Sequence, residues 1–124
     1  MPHIIIEATS RLHQEIDLPS LMLAMHRELA DAGYAQLDDL KSRLHVCNVS
    51  LAGADPAAEF VVARLLTTNP RPEESLAKMA RIIHDTLHDA ITAKPRAFWW
   101  QCCVVVDPHE RSRYLKTDSR TANL

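Results

Sequence analysis

The chain has 124 residues, of which 47% are hydrophobic and 24% are charged, a balance typical of a single globular domain. Its 14 Lys and Arg against 16 Asp and Glu give a net charge of −2, which provides no electrostatic reason to expect nucleic acid or an anionic membrane as a partner. No apolar run approaches the roughly 20 residues of a membrane span, and the start MPHIIIEA has no features of a secretory signal. We therefore expect a cytoplasmic protein with no membrane partner.

The first half of the chain predicts a strand, a helix and a second strand. The Ile-rich residues 3–8 favour a strand, and an amphipathic helix follows from its predicted N-cap, Asp17, to a stop at Gly33. The alternating stretch LKSRLHVCNVSL predicts the second strand. One face of that strand carries the positive charges of Lys41 and Arg43.

The second half repeats this order. The apolar stretch EFVVARLLTT predicts a strand, and the loop NPRPEE leads into a helix, since Pro72 is tolerated in a first turn and the two glutamates complement the helix dipole. Apolar residues at helical spacing extend this helix to about Ile91. Residues 97–106 predict the last strand, and the polar tail 108–124 has no assigned structure.

Two βαβ units follow from this order, at approximately residues 2–50 and 58–107 of a single domain covering 1–124. The predicted fold class is α+β, a four-stranded sheet with two helices on one face. The strands are apolar enough that the opposite face of the sheet requires cover, and association between subunits would supply it.

The proline at position 2 has two interpretations. Proline is structurally tolerable as the first residue of a strand, so Pro2 is explained by packing alone in one of them. In the other, Met1 is removed and Pro2 becomes a free secondary amine. A terminal amine titrates near 8, and burial or nearby cations lower that pKa towards neutrality, where a base can transfer protons at carbon.

Several segments together resemble 5-carboxymethyl-2-hydroxymuconate isomerase, of the 4-oxalocrotonate tautomerase superfamily. They are PHIIIEAT, DLPSL, KSRLH and EFVVARLLTTNPRPEES, and the resemblance runs over residues 2–91 and more weakly through the last strand. It implies a tautomerase-like fold and a homotrimer with active sites near subunit boundaries. It also implies that Pro2 moves a proton within an unsaturated dicarboxylic enol acid, in catabolism of an aromatic acid, without metal or organic cofactor.

The resemblance also implies the residues that bind this substrate. Arg71 matches the family arginine before the second helix, Arg43 matches the last residue of the family's RSR motif, and Lys41 stands where its first arginine is expected. Fixed cations suit carboxylates and a developing enolate, but lysine lacks the two-pronged geometry of arginine. The alternative for Lys41 and Arg43 is that both are ordinary solvated charges. The alternative for the protein is a non-catalytic trimeric module that binds a small anion.

Other candidate sites have weaker support in the sequence. His84 and His88 have the i, i+4 spacing of a helical metal pair but no third ligand beside them, so we expect no metal site. Cys47 and the adjacent Cys102 and Cys103 predict no disulfide framework. The basic stretch HERSRYLK reads as a surface tail, with ligand binding or docking on a neighbouring subunit as alternatives.

Overall fold

The computed structural model describes residues 1–120 and contains one four-stranded sheet with helices packed on it. In chain order its strands and helices are β1 (His3–Thr9), α1 (Ser10–Glu15), α2 (Leu18–Asp31), β2 (Lys41–Cys47), β3 (Glu59–Thr67), α3 (Glu73–Thr92) and β4 (Trp100–Pro108), with short 3-10 turns at Leu37–Asp39 and Arg111–Arg113. None of these helices is both long enough and apolar enough to cross a bilayer.

The strands lie in the order β2-β1-β3-β4. β1 is parallel to β2 and β3 is parallel to β4, while β1 and β3 meet antiparallel in the middle. Each parallel pair is joined by a helical crossover, as parallel neighbours require. The predicted α+β fold of two βαβ units is therefore confirmed.

The core lies between the sheet and the two long helices. Ile4 and Ile6 of β1 and Leu65 of β3 are fully buried on the helix-covered face, and burial of each such side chain stabilises the fold by about 1.5–3 kcal/mol. The buried residues of the long helices are those of the predicted apolar stripes. They are Leu18, Met25 and Leu29 of α2, and Leu76, Met79, Ile83, Leu87 and Ile91 of α3.

The predicted ends of α2 are also present. The side chain of Asp17 accepts a hydrogen bond from the backbone N–H of Ser20 at 3.3 Å and another from its hydroxyl at 2.6 Å, and Pro19 lies in the first turn. The chain leaves the helix through Gly33, whose φ of 82° is in the left-handed region that favours glycine.

Helix α1 was not predicted from the sequence. Its N-terminus is held by Glu59 of β3, whose side chain is buried. One carboxylate oxygen of Glu59 accepts hydrogen bonds from the Thr9 hydroxyl at 2.7 Å and from the Leu12 backbone N–H at 2.8 Å. The residue that supports this helix is therefore supplied by a distant strand.

Strand β4 begins at Trp100 and extends to Pro108, so the predicted start at residue 97 is wrong. Arg96 holds the preceding segment against the end of α3 by donating to the carbonyls of Ile91 at 3.0 Å and Ala90 at 3.2 Å. Its other guanidinium nitrogen pairs with Glu15 at 3.0 Å. These contacts satisfy carbonyls that a helix end leaves free and keep the segment as a loop.

The sheet face opposite the helices mixes charged and apolar side chains. One row across all four strands contains Arg43, Ile5, Arg64 and Val105. Both arginines are exposed, and Val105 is 49% exposed. This face is more polar than the sequence analysis predicted, because the charges of β2 and β3 both project from it.

Candidate active site

The amino terminus lies at the edge of the sheet where β1 begins and β3 ends. Pro2 is buried there, and its carbonyl accepts a hydrogen bond from the backbone N–H of Lys41 at 3.3 Å. The amine of Met1 donates to the hydroxyl of Thr68, directly after β3, at 2.7 Å. The predicted position of the base is therefore enclosed by the starts of β1 and β2 and by the end of β3.

The environment of this amine is cationic. Burial and, next, the nearby guanidinium of Arg71 hold the pKa of the Met1 amine below its ordinary value of 8.0. The carboxylate of Asp39 opposes these effects, and Lys41 lowers the pKa further. The lowered pKa increases the fraction of the neutral amine, which is the form that accepts a proton.

Arg71 lies in the loop between β3 and α3 and is partly buried. Its Nη2 donates to the carbonyl of Tyr34 at 3.1 Å, which fixes the guanidinium. Its Nη1 is buried and has no hydrogen-bond partner within residues 1–120. A buried unpaired donor is costly, and an anion bound here would satisfy it.

Lys41 and Arg71, both predicted to bind substrate, lie near the amino terminus. Lys41 begins β2 and is partly buried, with its Nζ at 3.5 Å from the main-chain carbonyl of Asp39. Both cations act on the pKa of the same amine. The position predicted for Pro2 therefore has two fixed positive charges beside it.

Arg43 lies on the open sheet face rather than beside Arg71. Its Nη1 donates to Nδ1 of His3 at 3.2 Å, and Nε2 of His3 is 2.9 Å from the hydroxyl of Tyr114. Burial, Arg43 and Lys41, in that order, lower the pKa of His3. A cavity of about 210 Å³ opens beside this chain of contacts, lined by His3, Arg43, Leu66, Thr68, His109, Arg113 and Tyr114.

The polar tail packs on its own chain, and sequence reasoning missed this. We call residues 109–120 the strap. The backbone N–H of His109 donates to the carbonyl of Thr67 at 2.7 Å, and the guanidinium of Arg120 pairs with Asp38 at 2.7 Å. The strap thus crosses the edge of the sheet that contains the amino terminus. The last residues of the predicted tail, 121–124, lie outside the described part of the chain.

The remaining candidates, the two histidines of α3 and the three cysteines, form no metal site within residues 1–120. The rings of His84 and His88 stack with centroids 5.5 Å apart, and each contacts the aspartate that follows it. Within residues 1–120, no three side chains of the usual metal-binding types come together. Cys102 is partly buried, which raises the pKa of its thiol to about 11, and Cys103 is exposed. The three cysteines are free.

A sheet of two βαβ units, with the amino terminus buried among cations at its edge, defines a tautomerase-like protein, and solved structures share this fold. A 5-carboxymethyl-2-hydroxymuconate isomerase from Deinococcus radiodurans R1 is 20% identical, with a TM-score of 0.82 over 98% of this chain and 92% of its own. A 5-carboxymethyl-2-hydroxymuconate delta-isomerase is 12% identical, with a TM-score of 0.77 over 99% and 92%. W0, a fused 4-OT that forms a symmetric trimer, is 16% identical, with a TM-score of 0.57 over 84% and 87%.

The sequence itself identifies the family. Residues 2–98 match the family model of 5-carboxymethyl-2-hydroxymuconate isomerase, and the chain belongs to that family. The protein is therefore an isomerase, and the resemblance described from the motifs is confirmed. No curated protein sequence matches the chain significantly.

Proposed function

We propose that the protein is a cofactor-independent isomerase that transfers a proton within an unsaturated 2-hydroxy dicarboxylic acid. The reaction is of the kind that isomerises 5-carboxymethyl-2-hydroxymuconate during catabolism of an aromatic acid. The observation that carries this proposal is the buried amino terminus, where Arg71 and Lys41 help to lower the pKa of the amine. After removal of Met1 the amine belongs to Pro2, whose ring fixes the direction of the lone pair.

Pro2 acts as a base and then as an acid. Its nitrogen takes the proton of the enol hydroxyl, and the O–H electron pair forms the carbonyl while the conjugated double bonds shift. The distant carbon of the chain then receives the proton from the Pro2 ammonium. One O–H bond breaks, one C–H bond forms and the amine is regenerated, so the reaction needs no oxidant or metal.

The three cations bind different parts of the substrate. Arg71, with Nη2 fixed and Nη1 unpaired within the described residues, holds the carboxylate next to the reacting enol. Lys41 stabilises the negative charge that develops on the enol oxygen. Arg43 binds the substrate from the neighbouring cavity on the open sheet face.

The same proposal includes a homotrimer, the state of the fused 4-OT W0. β2 is an edge strand, and edge strands present unpaired backbone groups to another chain. Beyond its end, Val49 is 95% exposed and Leu51 is 60% exposed. Pairing along this edge would cover these side chains and place the amino terminus near a subunit boundary.

The test is the ketonisation of 2-hydroxymuconate, followed by ultraviolet absorbance, with untagged protein whose intact mass shows that it starts at Pro2. We expect a rate well above buffer and a fall of about 100-fold in Pro2→Ala, since proton transfer by a positioned group contributes 10²–10⁴-fold. A rate equal to buffer with a free Pro2 would instead favour the non-catalytic, anion-binding module.

A further inference from the structure

We propose that Arg113 of the strap and Arg43 of β2 form a carboxylate-binding subsite for the end of the substrate remote from Arg71. This inference rests on the proposed function and adds a residue that determines specificity. The subsite is the cavity of about 210 Å³ on the open sheet face. That volume is below the roughly 300–1,000 Å³ of sites for drug-sized ligands, and it suits one arm of a small acid.

The permanent charge on the walls of this cavity is positive. None of the seven side chains that line it is acidic. His109 is paired with Asp107 at 3.1 Å, so the two permanent charges of the walls are Arg43 and Arg113. Cavities lined by one sign of charge concentrate ions of the opposite sign, and guanidinium groups bind carboxylates through paired N–H donors.

The hydrogen bonds of His3 orient a further donor towards the cavity. Because a guanidinium can only donate, Nδ1 of His3 must accept from Arg43, and the neutral ring then carries its proton on Nε2. Nε2–H donates to the oxygen of Tyr114, which leaves the Tyr114 O–H available to a ligand. The lowered pKa of His3 agrees with a neutral ring.

The strap holds Arg113 in place while leaving its side chain available. On one side Arg111 donates through Nε to Oδ1 of Asn69 at 3.2 Å, and on the other Tyr114 is bonded to His3. The backbone N–H of Arg113 donates to the carbonyl of Glu110 at 3.0 Å. Its guanidinium has no hydrogen bond or ion pair with the part of the chain that the structure describes.

Thr68 joins this subsite to the amino terminus. Its side chain lines the cavity, and its hydroxyl also accepts from the Met1 amine at 2.7 Å. When Met1 is removed, its place beside Thr68 is free, so a substrate whose enol end lies at the Pro2 amine and Arg71 can extend past Thr68 into the cavity. The strap thus selects substrates with a second carboxylate.

The test compares two substrates with the full chain starting at Pro2. They are 2-hydroxymuconate, which has the remote carboxylate, and 2-hydroxypenta-2,4-dienoate, which lacks it. Arg113→Gln should raise KM for the diacid about 10- to 100-fold, the value of a charged hydrogen bond, and should change kcat/KM for the monoacid by less than about twofold. Arg113→Lys should recover part of the loss. Arg120→Gln is the matched control in the strap and should change kcat/KM for neither substrate.

Equal effects of Arg113→Gln on both substrates, or none on the diacid, would overturn the subsite. Calorimetric binding of trans,trans-muconate, which lacks the enol, separates this failure from failure of the proposed function. Even if wild-type protein with a free Pro2 is inactive, it should bind muconate about 10-fold or more tightly than a folded Arg113→Gln variant. Equal affinities would likewise overturn the subsite.

Discussion

In the proposed function, Arg71 is the residue on which both substrate binding and the pKa of the base depend. The Tyr34 carbonyl fixes Nη2 of its guanidinium, and Nη1 is buried without a partner within residues 1–120. Its charge also lowers the pKa of the amino-terminal amine, second only to burial. One side chain therefore has a donor available to a carboxylate and a charge that lowers the pKa of the amine at this edge of the sheet.

Replacing Arg71 by glutamine should change both properties. We expect kcat/KM for 2-hydroxymuconate to fall about 10- to 100-fold through the lost charged hydrogen bonds. Without the cation the ammonium form is less disfavoured, so the pKa of the amine should rise and the acid limb of the kcat/KM profile should move to higher pH. Arg81→Gln, which changes an exposed arginine of α3, is the control. An acid limb that stays in place would contradict this role.

The positions of these site residues were predictable from the sequence only in part. The family motifs indicated Pro2, Lys41 and Arg71, and the structure places Lys41 and Arg71 beside the amino terminus. The contact between His3 and Tyr114 joins residues 111 positions apart, and no local pattern encodes it. A basic tail without periodicity gives no signal of the surface on which it packs.

Among the elements, periodicity predicted those whose stability is local or amphipathic. The apolar stripes of α2 and α3 and the N-cap of α2 are formed by residues close together in the sequence. Helix α1 differs, because Glu59, which holds its first turn, lies 47 positions from Leu12. The start of β4 likewise depends on Arg96, which pairs with Glu15 across 81 positions. Long-range contacts therefore account for the elements that the sequence analysis missed or misplaced.

Glu59 should contribute more to the free energy of unfolding than an exposed glutamate. In Glu59→Ala the Thr9 hydroxyl and the Leu12 N–H lose their buried acceptor, and we expect the free energy of unfolding to fall by about 2–4 kcal/mol. Glu59→Gln keeps an acceptor oxygen and should cost about half as much. Urea unfolding measures both variants. A loss no larger than that of Glu74→Ala, an exposed residue of α3, would refute this role of Glu59.

For the whole molecule, the open sheet face and the β2 edge both favour assembly. The face combines exposed arginines with exposed or partly buried apolar residues, and the edge strand is followed by two exposed apolar side chains, Val49 and Leu51. Such surfaces are typical of sites where chains associate. In the proposed trimer a neighbouring chain would cover the β2 edge.

Light scattering coupled to size exclusion measures the assembly directly. We expect a mass three times the 14.0 kDa of the chain, constant over the concentrations used for the activity assay. Because the active site is proposed to lie near a subunit boundary, dilution that dissociates the trimer should reduce the specific activity. A fully active protein with the mass of one chain would contradict the proposed trimer.

The central claim is that the nitrogen of Pro2 is the base, and the most direct measurement compares two forms of one sequence. Protein that retains Met1 and protein that starts at Pro2, each verified by intact mass, contain the same cations but differ in whether this nitrogen is an amide or an amine. We expect 2-hydroxymuconate to ketonise about 10²–10⁴-fold faster with the amine form. Equal rates for the two forms would contradict the account.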